Sequence, residues 1–372
     1  MNKPALKLVK AAFFLAILLT AATVWAVNPF AGEQSIMPEA ENAATSLGNS
    51  GTADQAYIKA ASETESIEKR ISGAFIQPWE SDNDRPCEFW TTELQAMKAI
   101  GIDTVIIQFN QYNGVNFSEA TENILNVADE LEMKVFIGTA LNEEGWYTNK
   151  ILPTFLARES KIVAEYTTIL VNQFKPHKSF IGVYIPYEDN TLSLPGPMGD
   201  FYGRIADAAR AAKPDLKILI SPYTTPRPGM ALSLPKVALN AYFRKMLKRA
   251  KVDICAWQDG VGGTRKQLER VSHDLGPIVK TCKALKIEAW ANLEVFHRTT
   301  PLSEDFAAEA TDLETLKKQI AAEGPLVKKL ICFDFNHYFS PNAADKTAHR
   351  LYEEYLKMLQ TPDSEDSSPT TN

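Results

Sequence analysis

From Ile71 onward the chain repeats one pattern eight times: a short apolar run, a polar loop, then a longer stretch with apolar positions every three to four residues. Short apolar runs bounded by turn residues read as buried strands, and the 3.6-residue period reads as amphipathic helix. The predicted strands are Ile71–Pro78, Thr104–Asn110, Lys134–Ala140, Phe180–Glu188, Lys217–Tyr223, Val252–Gly260, Ile287–Phe296 and Lys329–Tyr338. The predicted helices are Glu93–Ile100, Ser118–Leu131, Pro153–Phe174, Gly199–Ala212, Pro235–Ala250, Lys266–Leu285, Asp312–Glu323 and Arg350–Leu359. Gly101 marks a helix stop, Ser118 a cap, and Gly276-Pro277 a break in the sixth helix. Crossovers of this length demand parallel strands. Eight units without a Gly-rich phosphate loop favour a closed α/β barrel, the (β/α)8 TIM barrel, over an open doubly wound sheet.

Along each strand alternate residues face the barrel axis and the surrounding helices, and the apolar set must face the helices. In the fourth strand Ile181, Val183, Ile185 and Tyr187 form one set; Gly182, Tyr184, Pro186 and Glu188 form the other. In the seventh, Ala289, Ala291 and Leu293 alternate with Trp290, Asn292 and Glu294. In the eighth, Ile331, Phe333 and Phe335 alternate with Cys332, Asp334 and Asn336. Parity therefore places Gln77, Gln108, Asn110, Glu188, Asn292, Glu294, Asp334 and Asn336 on the axis side.

Active sites of such barrels lie at the C-terminal strand ends. Two carboxylates there suit glycosidic bond cleavage, in which one acid protonates the leaving oxygen and the other attacks the anomeric carbon or activates water. Glu188 takes the acid/base role and Glu294 the nucleophile role. A sugar also needs apolar platforms and hydrogen-bonding partners. Trp79, Trp146, Trp257 and Trp290 are platform candidates; Gln77, Gln108, Asn110, Gln258, Asp259 and Asn292 are hydrogen-bonding candidates; Tyr187, Tyr223 and His337 complete the substrate-binding set. Two acids also have structural readings: Asp259 as the cap of an Asp-Gly turn, Asp334 as a buried hydrogen-bonded acid. Trp90, on a helix, reads as core.

The 372-residue chain carries a formal net charge of −7 and no useful Lys/Arg cluster, which argues against a nucleic-acid partner. Lys3, Lys7 and Lys10 precede an apolar run from Ala11 to Val27. Residues 1–27 thus read as a signal peptide or a membrane anchor, and the rest as exported, either periplasmic or tethered at the outer face of the inner membrane. Residues 28–70 read as a flexible linker, 71–360 as the barrel and 361–372 as a disordered tail. No Cys/His spacing suggests a metal and no motif suggests a cofactor. The oxidising location allows a disulfide among Cys87, Cys255, Cys282 and Cys332 but does not choose a pair. Oligomeric state is left open.

A Glu ending the fourth strand and another ending the seventh resemble the retaining clan-A glycoside hydrolases. In those enzymes Asn usually precedes the acid/base Glu and holds the 2-hydroxyl, whereas Tyr187 stands here. A closer resemblance is to the bacterial family called domain of unknown function 4434, itself glycosidase-like. It rests on ISGAFIQPW (Ile71–Trp79), MKAIGIDTVIIQF (Met97–Phe109), KVFIGTALNEEGW (Lys134–Trp146), SFIGVYIPYE (Ser179–Glu188), ILISPY (Ile218–Tyr223), WQDGVG (Trp257–Gly262) and ANLEVF (Ala291–Phe296). The expectation is a retaining glycosidase acting on a polysaccharide or oligosaccharide; the alternative is a non-catalytic carbohydrate-binding barrel serving exopolysaccharide synthesis or export.

Overall fold

The computed structural model describes residues 70–224, 234–263, 268–301 and 304–361. The predicted export segment, the linker through Lys69 and the tail beyond Thr361 lie outside these residues.

Eight strands form the predicted closed barrel: β1 (Ile71–Ile76), β2 (Thr104–Ile107), β3 (Lys134–Gly138), β4 (Phe180–Ile185), β5 (Lys217–Ile220), β6 (Ile254–Gln258), β7 (Glu288–Glu294) and β8 (Lys329–Phe333). All neighbours are parallel, and β8 returns to pair with β1. Each strand stops short of its apolar run at the C-terminal end, so several polar residues read as strand ends stand on loops above the barrel.

Eight major helices surround it: α1 (Cys87–Ala99), α2 (Ser118–Glu130), α3 (Pro153–Phe174), α4 (Pro195–Ala212), α5 (Lys236–Ala250), α6 (Val271–Leu285), α7 (Leu313–Glu323) and α8 (Lys346–Gln360). α1 begins at Cys87 rather than Glu93, because Trp90, Leu94 and Met97 form one buried stripe at helical spacing. Gly101 ends the segment as expected, at φ +87°, with the Ile102 N–H donating to the Met97 carbonyl. Ser118 is the first helical residue rather than the cap, and its N–H donates to Asn116 Oδ1. α6 runs through Pro277 without the expected break, with Pro277 itself buried. The proline only removes the N–H that would have reached the His273 carbonyl.

Two apolar layers hold the barrel. Val105, Val135, Val183, Ile218, Cys255, Ala291 and Cys332 pack outward against the helices. Phe75, Ile106, Phe136, Tyr184, Leu219, Ala256, Trp290 and Ile331 fill the interior. Each fully buried side chain of this size contributes about 1.5–3 kcal/mol. The interior rings meet edge to face, Phe75 with Tyr184 at 5.1 Å and Phe136 with Trp290 at 6.1 Å.

The β8 parity is the reverse of the sequence expectation. Ile331 and Phe333 face the axis, and Leu330 and Cys332 face the helices. Gly73 makes the room: a Cβ there would stand 2.7 Å from the Ile331 side chain. The strand then ends at Phe333, and Asp334 caps the short helix Phe335–Tyr338, so strand alternation stops governing side-chain direction at that point.

Candidate active site

Glu188 stands just past β4, half-buried at the mouth. The phenol of Tyr184, an axis-facing residue on the same strand, donates to its Oε1 at 2.8 Å. Burial pushes the Glu188 carboxyl up to about 7, against the opposing pull of hydrogen bonds from Gln258 and Tyr184. The field of Glu143 adds to the rise, and that of Lys150 opposes it.

Glu294 closes β7, also half-buried. The Gly263 N–H donates to its Oε2 at 2.5 Å, a charge-assisted contact suited to an ionised carboxylate. The loop passes close enough that a Cβ on Gly262 would stand 2.0 Å from the Phe296 carbonyl oxygen. The Glu294 backbone is clamped from behind. Its N–H donates to Asp259 Oδ1 at 3.3 Å. Gln319 of α7 donates through Nε2 to Asp259 Oδ2 at 2.6 Å and to the Glu294 carbonyl at 3.1 Å. Burial, first, and then the field of Glu188 raise the Tyr223 phenol far above its usual range, against a hydrogen bond with Asn190 and with smaller additions from Asp189 and Glu294.

The β1 and β8 ends supply the apolar rim. Trp79 is 53% exposed and stacks on His337, with ring centroids 4.3 Å apart. His337 Nδ1 hydrogen-bonds Asp334 Oδ2 at 2.5 Å, which fixes the platform from below. Asn336 ties these ends together, accepting from the Gln77 N–H and donating to the Gln77 carbonyl, both at 3.0 Å. In the floor, Gln258 donates to the Ser221 carbonyl at 2.7 Å and Asn292 to Ser221 Oγ at 3.2 Å. The side-chain carbonyl oxygens of Gln108 and Asn292 are buried with no hydrogen-bond partner among the described residues.

Five expected substrate-binding residues lie elsewhere. Asn110, past the end of β2, is buried and accepts from Tyr166 at 2.6 Å while donating to Thr121. Trp146 packs on Tyr187 and Phe201 in the helix-facing layer. Tyr187, fully buried there, donates to Glu159 at 2.9 Å. Asp259 holds Glu294 instead of facing the mouth. Trp290 plugs the barrel interior and donates to Glu288. Trp257, also a platform candidate, is wholly buried against the helices. His297 pairs with Glu309 on an exposed hairpin.

Other residues reach the site that parity did not show. The short helix Glu143–Asn149 sits on the loop after β3 and brings Glu143 and Tyr147 inward, with Lys150 capping its end. The Tyr112 phenol donates to Glu143, whose carboxyl is raised by burial. Tyr147 lies in the fields of Tyr223, Glu143 and Glu188. Asp189, buried beside Glu188, accepts from the Tyr242 phenol at 2.8 Å. The signal available was the run Asn142-Glu143-Glu144-Gly145-Trp146-Tyr147, acids and aromatics directly after a barrel strand. Among the described residues no group of three or more His, Cys, Asp or Glu side chains is placed to hold a metal ion, and no helix is long and apolar enough to cross a membrane.

Comparison with known proteins agrees with this architecture. Residues 71–345 match the family described as Domain of unknown function (DUF4434), and the chain belongs to that family. No curated protein matches. Among solved structures, a candidate alpha-L-fucosidase from Bacteroides thetaiotaomicron VPI-5482 superposes with a TM-score of 0.66 at 22% identity, covering 79% of this chain and 94% of the other. A beta-galactosidase from the psychrophilic Marinomonas ef1 gives 0.52 at 9% identity, covering 78% and 59%. An endoglucanase gives 0.50 at 12% identity, covering 80% and 99%. The fold is thus a (β/α)8 barrel shared with these structures.

Proposed function

We propose that the protein is a retaining glycoside hydrolase acting on a polysaccharide or oligosaccharide outside the cytoplasm. The observation that carries this reading is the contrast between two carboxylates on one mouth. Glu188 is held partly protonated near neutral pH by burial, whereas Glu294 accepts a backbone N–H. Pairs whose environments separate their protonation states are how acid and nucleophile roles are divided. Glu188 donates its proton to the leaving oxygen as the carbon–oxygen bond breaks, and Glu294 bonds to the anomeric carbon. Glu188, now ionised, removes a proton from the water that releases the sugar. Trp79, His337, Gln77, Gln108, Gln258 and Asn292 form the binding surface, and no cofactor or metal enters the reaction.

One observation favours a second reading, a non-catalytic carbohydrate-binding barrel: Tyr187, in place of the Asn that usually holds the 2-hydroxyl, is turned into the helix layer. Turnover separates the two. Glu294→Gln is expected to lower kcat by at least ~1000-fold on every substrate. Glu188→Gln is expected to do so on natural glycosides and far less on aryl glycosides whose leaving group needs no proton. Product analysis by NMR is expected to show retained anomeric configuration. Wild-type rates in both variants would overturn the roles given to the two carboxylates, and a wild type that binds oligosaccharides without hydrolysing any would favour the binding barrel.

A further inference from the structure

Lys150 has no role in the scheme above, and its setting is unusual. Only 6% of the residue is exposed, yet its ammonium makes no hydrogen bond and no ion pair among the described residues. Its companions are aromatic faces: the Tyr147 ring centroid lies 4.8 Å from Nζ and the Trp146 centroid 5.7 Å. Tyr147 is itself a site residue, and the Lys150 charge is felt by Glu188 and Asp189. Neither acid forms an ion pair with Lys150: Glu188 accepts from Tyr184, and Asp189 accepts from Tyr242 and the Thr191 N–H at Oδ2, while Asp189 Oδ1 is buried with no hydrogen bond among the described residues. Burial holds the lysine down to about 8, a cost that an ion pair would have removed. A lysine whose stem is this buried and whose ammonium makes no hydrogen bond to the described residues has its donors free for a partner from outside the protein.

We propose that Lys150 is a specificity-determining residue that binds the carboxylate of a hexuronic acid, making the substrate class an acidic polysaccharide. The inference rests on the carbohydrate reading of the site, and deepens it. A neutral hydroxyl would accept one hydrogen bond and leave the charge buried. A carboxylate accepts more than one and neutralises it. The aromatic faces of Tyr147 and Trp146 hold the ammonium between ligands without competing for its protons. Lys150 follows the short helix on the β3 loop, next to the half-exposed Ile151 and Leu152.

The test uses thio-linked oligosaccharides of glucuronate, galacturonate, mannuronate and guluronate, which resist hydrolysis, with their carboxyl-reduced counterparts as neutral isosteres. Calorimetry on the full chain is expected to show at least one uronate bound about 10-fold or more tighter than its reduced partner, the strength of a charge-assisted hydrogen bond. Lys150→Gln is expected to bring that ratio to about 1, and Lys150→Arg to preserve most of it. A wild-type chain that binds no uronate, or binds it no better than the reduced form, overturns the proposal. So does a preference that survives Lys150→Gln in protein with an undiminished unfolding transition. Uronate preference without hydrolysis of the oxygen-linked sugars would sink the hydrolase reading while leaving Lys150 its role.

Discussion

A carboxyl group whose proton leaves near neutral pH marks both activity and stability. Glu188 stands at about 7 in the fold, against 4.5 for an unperturbed side chain. The folded state therefore binds more protons than the unfolded chain between those limits, and stability falls as pH rises from about 4.5 to about 7, then levels. Glu188→Gln removes that slope. The variant is expected to gain on the wild type by about 1–3 kcal/mol between pH 4 and pH 8, read from denaturant unfolding at each pH. With Glu188 as the proposed general acid, the same ionisation is expected to give kcat/KM an alkaline limb at about pH 7. A parallel pair of stability curves, or an alkaline limb well above 7, would deny Glu188 its environment.

At the scale of elements, the loop after β6 and helix α7 act through Glu294 rather than on substrate. Asp259 and Gln319 together hold the N–H and carbonyl of Glu294, so the position of the proposed nucleophile depends on a helix on the outside of the barrel. Gln319→Leu leaves the buried Asp259 Oδ2 without that donor and frees the strand end. The expected result is a fall in kcat of about 10-fold or more with KM little changed, plus about 1–3 kcal/mol of lost stability. Rescue of kcat by Gln319→Glu at low pH, where a protonated carboxyl can again donate, would separate positioning from packing. Equal kcat in Gln319→Leu and wild type would assign the clamp to folding alone.

The same scale explains what was legible in the sequence. Period-2 alternation located Glu188, Asn292 and Glu294 because each lies on a strand or close enough for its parity to persist. It failed at Asn110, where β2 had ended at Ile107 and the chain had already turned toward α3. It failed at Asp334 for a related reason, since β8 gives way to a helical turn that returns His337, not Asp334, to the mouth. Trp146 and Tyr187 were drawn to the site by residue type, but each fills the layer between sheet and helices. Glu143 and Lys150 lie on a loop helix where no barrel parity applies, and only their juxtaposition in space shows them.

Across the whole molecule, closure of the barrel depends on its last helix. The family match ends at Asp345, the residue whose side chain caps α8 by accepting the Thr347 N–H. Physically the domain extends further. Leu351, Tyr352 and Tyr355 of α8 are buried, and the Tyr355 phenol accepts from the Ile71 N–H at 3.1 Å, tying the end of the fold to the start of β1. The Tyr352 phenol reaches back to the Ala96 carbonyl of α1. Burial of those three side chains supplies about 5–9 kcal/mol, as much as the net stability of a typical domain. A chain ending at Asp345 is therefore expected to lose its near-ultraviolet circular dichroism and its cooperative unfolding transition, although it keeps all eight strands and both proposed catalytic carboxylates. A chain ending at Thr361 is expected to unfold as the full chain does. If the shorter chain melted cooperatively within a few degrees of the longer one, β1 and β8 would be closing the barrel through their own pairing, and α8 would be an ornament on a fold complete without it.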